Sequence, residues 1–301
     1  MNAKINSAVN QLKTSHTLQK KVTLIALVII LIGYYFYWLY SQRYVSTDDS
    51  YINANVVQIA PRITGQVIHL YVDNNQFVQQ GQLLLEIDPV PFITDLDKAD
   101  AQLKIDEANL INAQLTANRT LTLVKTKALS QQAGDDAVAK LHSAQATVEY
   151  DKANIAQATL NLQYTRITAP ASGWITNMTL RTGDIITINQ PLFALIDSSE
   201  FWVDANYKET NLAHVKPGQS ATVEVDMYPN HLFKGVVESI SGGSGAVFSL
   251  LPPQNATGNW VKVTQRVPVR VRIENLDPRY PLRIGTSANV IIDTHSSASA
   301  H

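Results

Sequence analysis

The chain contains no cysteine. That absence removes disulfide staples, thiolate metal sites, cysteine nucleophiles and a cysteine-linked lipid anchor together. Basic and acidic residues nearly cancel, leaving a net charge of −1, so neither a nucleic-acid partner nor a strongly anionic substrate is signalled. The histidines form no His-x-x-x-His pair and meet no cluster of carboxylates, so no metal or other cofactor is expected. Ser241-Gly-Gly-Ser-Gly245 lacks the Gly-Lys-Ser/Thr ending of a phosphate loop and reads as a turn. Asp48/Asp49 and Asp135/Asp136 are adjacent pairs, expected as solvated or helix-start charges rather than acid/base partners. No catalytic constellation emerges, and an enzyme is not expected. Proline is missing from Phe92 to Ala169, and Gly134 is the only glycine there, so that stretch is free of helix breakers.

Charge is also missing from the nineteen residues 22–40. As a helix at ~1.5 Å per residue they would reach about 28 Å, close to the ~30 Å hydrocarbon core of a lipid bilayer. Lys4, Lys13, Lys20 and Lys21 precede the run and no acidic residue does. The positive-inside rule then predicts a cytoplasmic tail (1–21), a single transmembrane anchor (22–40) and export of everything after Arg43. Lys20 and Lys21 on one side, and Tyr37, Trp38 and Tyr40 on the other, are candidate interface anchors. The run ends in bulky aromatics without an Ala-x-Ala site, which favours an uncleaved anchor over a signal peptide.

The exported part contains an internal repeat. Residues 59–88 and 168–197 each run from an Ala-Pro pair through a glycine to a turn, with Gly65 to Asn75 and Gly173 to Gly183 matching in length. Asn and Gly tolerate positive φ, so the same turn is predicted at 75 and 183. Alternating Val67, Leu70/Val72 and Leu83/Leu85/Ile87 read as short half-buried strands. Neither half (58–90 or 166–197) can close a core alone, so the two should pair into one β-sandwich.

Residues 91–165 follow a different period. Leu96, Leu103, Leu110, Ala117 and Val124 recur every seven residues, as do Leu141, Val148, Ile155 and Leu162, with Ala99, Ala113, Ala137, Ala144 and Ala158 near the same seam. That narrow stripe predicts an antiparallel coiled-coil hairpin, two helices of about 35 residues joined near 128–130 and roughly 50 Å long. Ser130 is a candidate N-cap for the returning helix, with Asp135 and Asp136 near its start; Gly134 would loosen the tip. After Asp197 the strand pattern returns over 198–295, fitting a small antiparallel β-barrel to which the linker 41–57 could add a strand. Val267/Val269/Val271/Ile273 alternate against Arg270 and Arg272, and Pro268 should place that strand at a sheet edge or at its own opening. Residues 296–301 read as a flexible tail. The fold class is thus mainly β, with a long α-helical hairpin and an N-terminal transmembrane helix.

This order of parts resembles the HlyD-type membrane fusion proteins, and its strings resemble the EmrA-like multidrug efflux branch. The residues that carry it are Thr47-Asp-Asp-Ser-Tyr51, Ile59-Ala-Pro-Arg62, Tyr164-Thr-Arg-Ile-Thr-Ala-Pro170, Asp204-Ala-Asn-Tyr-Lys-Glu-Thr210 and a long string from Gly245 to Val263 that continues through Gln265–Arg270. The resemblance implies a split lipoyl-like module around the hairpin, but neither repeat offers a lysine at its turn, so a swinging-arm carrier is not expected. It implies a periplasmic adaptor that joins an inner-membrane major facilitator exporter to a TolC-like outer-membrane channel, and that self-associates into a ring, a hexamer by family precedent. Relatives dock on such channels through Arg, three residues, Leu, six residues, Ser; Arg119, Leu123 and Ser130 fill that spacing at the predicted tip. Phe248, Leu250, Leu251, Asn255 and Trp260 form a candidate contact loop for the transporter or for adaptor neighbours, with barrel-core packing as the other role. A shorter-hairpin adaptor for aromatic or organic acid efflux is the alternative, as is an anchored structural or ligand-buffering protein without a channel partner.

Overall fold

The computed structural model describes residues 27, 30–35, 43–248 and 262–296. In chain order the elements are β1 (Tyr44–Thr47), β2 (Ser50–Ile59), β3 (Gly65–Leu70), β4 (Phe77–Val78), β5 (Leu83–Ile87), α1 (Val90–Lys125), α2 (Gln131–Gln163), β6 (Arg166–Thr168), β7 (Gly173–Thr176), β8 (Ile185–Ile186), β9 (Phe193–Lys208), β10 (Ser220–Val225), β11 (Leu232–Ile240), β12 (Arg266–Ile273) and β13 (Ala288–Asp293). They fall into two compact units, residues 55–199 and the flanking segments before 54 and after 200. Among the described residues no helix is long and apolar enough to cross a membrane. Most of the predicted anchor, including Lys20, Lys21, Tyr37, Trp38 and Tyr40, lies outside the described residues.

The first unit joins the β-module to the hairpin. Its sheets run β6-β5-β3-β8 and β9-β7-β4, so each mixes strands from both copies of the repeat. The copies obey a local two-fold relation. Asn75 N donates to Ile175 O (2.9 Å) as Gly183 N donates to Val67 O (2.8 Å), and Gly81 N donates to Ala169 O (2.8 Å) as Asn189 N donates to Pro61 O (3.0 Å). The turn residues have φ of 65° at Asn75, 99° at Gly183, 82° at Gly81 and 62° at Asn189. At these two matched turns each copy therefore uses one Asn and one Gly, in opposite order, because these are the residues that enter this region at least cost. Val67, Leu84, Leu85, Ile87, Ile175, Ile186 and Leu195 close the core between the sheets.

In the hairpin, the residues turned from solvent follow two seven-residue series on each helix. One carries the large side chains: Leu96, Leu103, Leu110, Ala117 and Val124 on α1, and Leu141, Val148, Ile155 and Leu162 on α2. The other is Ala99, Asp106, Ala113 and Thr120 on α1, facing Ala137, Ala144, Asp151 and Ala158 on α2. Small residues on the second series let the helices approach closely. Gly134 belongs to this packing: a Cβ there would lie 3.3 Å from Val124 Cγ2 and 3.6 Å from Leu121 Cδ2. The glycine thus fits a tight helix contact, which corrects the expectation that it loosens the tip.

The second unit is a closed antiparallel barrel. The order β1-β13-β10-β11-β12-β9 is completed by β2, which pairs with β9 and bridges Tyr51 to Ser287 beside β13. Val203, Ala205, Tyr207, Val223, Val269, Val271, Val290 and Ile292 fill it. Strand β12 alternates as its sequence predicts, but it lies between β11 and β9 and is not an edge. Pro268 is accommodated near the strand's opening, where its carbonyl accepts from Ser241 N (2.9 Å).

Candidate functional site

The hairpin tip is built by its caps. Helix α1 ends with Thr126, after which Lys127 N donates to Val124 O and Ala128 N donates to Leu123 O, both at 2.9 Å. This pair of bonds is a Schellman closure, with Lys127 holding the left-handed position at φ 62° that glycine usually fills. Helix α2 starts at Ser130, whose Oγ accepts from Ala133 N at 3.3 Å. Asp135 and Asp136 fall beyond the first turn, which contains no acidic residue, so they do not supply the helix-start charge expected of them.

Arg119 and Leu123 stand one helical turn apart on α1, so they share a face, and both are exposed. Arg119 Nε reaches back to Leu115 O (3.3 Å), leaving its remaining donors on the surface. Leu123 is 45% exposed and Leu129, in the turn, 42%. Ser130 is exposed at the head of the other helix, with its hydroxyl already engaged as a cap. Among the described residues no element covers the guanidinium and two leucines that the tip presents. Above it, Asn109, Thr116, Thr120, Leu129, Asp136 and Lys140 line a groove of about 520 Å³ along the hairpin.

Two clusters explain the other strings singled out in the sequence. In the barrel, Asp49 Oδ2 meets Arg266 Nη1 at 2.8 Å, while Asp49 Oδ1 accepts from Asn206 Nδ2 at 3.2 Å. Thr47 Oγ1 donates to Asn206 O (2.8 Å), and buried Ser50 donates to Ala288 O. Tyr207 OH, fully enclosed, donates to Val290 O (2.9 Å), and burial raises its phenol well above the ordinary range. Arg270 lies over the Trp202 ring, 4.5 Å from its centroid. Three distant strings thus meet where β1 and β2 join β9 and β12, as a clamp that closes the barrel. In the other unit, Arg62 stacks on Tyr164 (5.1 Å) where α2 re-enters the β-module, and Thr165 caps that helix end by donating to Leu162 O (2.7 Å). Leu250, Leu251, Asn255 and Trp260 lie outside the described residues, and of Phe248 only the backbone is described, ending a short 3₁₀ turn.

One feature of the hairpin escaped the sequence reading. Asp151 on α2 is only 4% exposed, and its Oδ2 has no hydrogen-bond partner. Asp106 on α1 lies within hydrogen-bond reach of it and accepts from Gln102 Nε2 (2.7 Å) and Asn109 Nδ2 (3.1 Å). Burial first, then the facing Asp106, raises the Asp151 carboxyl above its ordinary range, whereas the Gln102 and Asn109 amides hold Asp106 below it. The signal was available, because Asp106 and Asp151 stand seven residues from the seam alanines on either side.

Comparison with known proteins follows the same division. Residues 55–198 match the RND MFP, barrel-sandwich hybrid domain, and residues 200–293 match the AAEA-like beta-barrel domain. Multidrug export protein EmrA of Escherichia coli (strain K12) is 30% identical over 313 residues, covering 88% of this chain and 80% of that protein. Fatty acid resistance protein FarA of Neisseria gonorrhoeae is 32% identical over 302 residues, covering 84% and 77%. The solved membrane fusion protein Spr0693 from Streptococcus pneumoniae R6 overlays with a TM-score of 0.61 at 16% identity, covering 84% of this chain and 99% of that one, a likeness of fold. With its split barrel-sandwich, seam-packed hairpin and clamped barrel, the chain belongs to the membrane fusion proteins of the EmrA type.

Proposed function

We infer that the protein is a non-catalytic periplasmic adaptor of a tripartite efflux system, linking an inner-membrane major facilitator exporter to a TolC-like outer-membrane channel. Kinship to EmrA over most of both chains is the observation that carries this reading. Residues 22–40 would anchor the chain in the inner membrane, with its N-terminus cytoplasmic and its bulk periplasmic. Several copies, six by family precedent, would assemble side by side into a duct. Arg119 and Leu123 would dock on the channel, the guanidinium reaching carboxylates or carbonyls while the leucine packs between partner helices. Ser130 would shape the turn that presents them. The 248–260 loop would meet the transporter or a neighbouring adaptor.

Arg119→Asp and Leu123→Ser should each weaken cross-linking to the channel in cells by about tenfold or more, as loss of a central interface residue does, with thermal stability unchanged. Unchanged cross-linking would reject the tip assignment, and drug resistance surviving deletion of the whole protein would reject the adaptor itself. A second reading of the cargo, efflux of organic acids, is favoured by the kinship to a fatty acid resistance protein. It predicts that deletion sensitises cells to amphiphilic acids and leaves tolerance of cationic drugs intact.

A further inference from the structure

The hairpin seam is apolar at nearly every layer except where Asp106 meets Asp151. By the seven-residue spacing, the layers on either side are Leu103 with Ile155 and Leu110 with Val148. Two ionised carboxylates facing each other in such a place repel strongly, and the repulsion is poorly screened once water is excluded. No ammonium relieves it. On α1, Lys104 is paired with Asp100 (2.6 Å), and on α2, Lys152 is paired with Glu149 (2.8 Å). Glu107 adds a further negative charge nearby, acting on Lys152. The neutral groups facing the pair are Gln102 and Asn109, which donate to Asp106, and Asn154, which acts on Asp151 in the sense opposite to burial and weaker than it.

A cation is the other way to relieve two carboxylates. Calcium and magnesium ask for six or more oxygen ligands, and here the Gln102 and Asn109 amides turn nitrogen, not oxygen, toward Asp106. Among the described residues no group of three or more His, Cys, Asp or Glu is arranged to hold a metal. One proton would complete the arrangement: held on the buried Asp151, whose Oδ2 has no hydrogen-bond partner, it would be donated to Asp106, whose charge the two amides solvate.

We propose that Asp106 and Asp151 share a single proton across the hairpin seam, so that the mid-hairpin is locked when the pair holds that proton and loosened when it is lost. The direction follows from the two carboxyls. Asp151 titrates above its unfolded value, so its contribution is full at acid pH and disappears as pH rises through the folded value. Asp106 titrates below its unfolded value, so its contribution disappears only as pH falls through that lower value. The seam is tightest between these limits, and the pair titrates as a unit. An adaptor built this way would hold a stiff rod below the folded Asp151 value and a more pliant one above it.

The test uses the full-length protein in detergent. In wild type, an infrared carboxylic-acid C=O band should persist above about pH 5, where ordinary aspartates are ionised, and Asp151→Asn should remove it. Hydrogen exchange of amides in 103–110 and 148–155, corrected for intrinsic rates, should accelerate in wild type over the same pH rise that removes the infrared band. It should stay flat in Asp151→Asn, whose amide can still donate to Asp106. Asp151→Ala, which extends the alanine series, serves as a second variant if the asparagine disturbs folding, and its profile should also be flat. Absence of the band, or the same pH response in wild type and both variants, would overturn the proposal. So would protection that rises with calcium or magnesium and falls with chelator in wild type alone, since a cation would then occupy the seam.

Discussion

The β-module and the hairpin are each made of two related halves, yet they close their seams by opposite means. The module encloses large aliphatic side chains completely: Leu84, Leu85, Ile87, Ile175 and Leu195 have no exposed surface. The hairpin buries only Ala117, Gly134, Ala137, Val148 and Asp151, and leaves Ile105, Ile111, Leu115 and Leu123 in solvent. Burial at ~25 cal/mol per Å² therefore stabilises the module far more per residue than the hairpin, which relies on length, propensity and a thin seam. Stability is concentrated where the chain enters and leaves the rod, while the rod keeps apolar and polar side chains available for contacts.

The largest test of that contrast lies at the two equivalent glycines of the module. A Cβ on Gly173 would fall on the backbone carbonyl of Ile196, whereas one on Gly65 would meet only the Ile87 Cγ2 methyl, at 2.5 Å. The strand backbone cannot move aside, whereas the enclosed Ile87 side chain can yield only by repacking its neighbours, a smaller cost. Gly173→Ala should therefore cost about 3 kcal/mol or more and Gly65→Ala about 1 kcal/mol, measured by urea unfolding at unchanged m value. Equal costs would show that the two-fold relation extends to packing as well as hydrogen bonding. Next in size, Leu195→Ala in the module should lose about 3 kcal/mol, and Ile111→Ala on the outer face of the hairpin no more than about 0.5 kcal/mol. A large loss at Ile111 would mean that this face is covered in solution.

The same contrast governs what could be read from the sequence. The seven-residue leucine series announced the hairpin because a coiled-coil seam repeats its signal many times over. The repeat announced the β-module because Gly65/Gly173 and Asn75/Gly183 answer a backbone need that few residues meet. The second turn pair was hidden, since Gly81 and Asn189 perform one task with different residues, and their equivalence appears only in φ and in the bonds to Ala169 and Pro61. Asp106 and Asp151 were hidden by their chemistry, because a search for apolar periodicity passes over carboxylates standing in an alanine series. The strings around Asp49, Asn206 and Arg266 were visible as strings, but their joint task as a barrel clamp depends on strands far apart in the chain. At the tip, spacing placed Arg119 and Leu123 on one face and named Ser130 as a cap, whereas the left-handed Lys127 gave no warning.

That lysine offers the smallest and most local test. Lys127 closes α1 at φ 62°, a conformation that strains any residue with a Cβ and is free for glycine. Replacing it with glycine relieves the strain but gives the unfolded chain more freedom to lose, so the gain is partial. The ammonium also favours the negative end of the helix, though Lys125 remains in the last turn to supply that interaction. Lys127→Gly should therefore stabilise the hairpin by about 0.5 kcal/mol, read as slower hydrogen exchange of the Ala128 amide, corrected for intrinsic rates. Faster exchange there would mean that the lysine side chain holds the turn. The tip would then owe its shape to side-chain contacts, as the β-module does, and not to the backbone closure on the Leu123 and Val124 carbonyls.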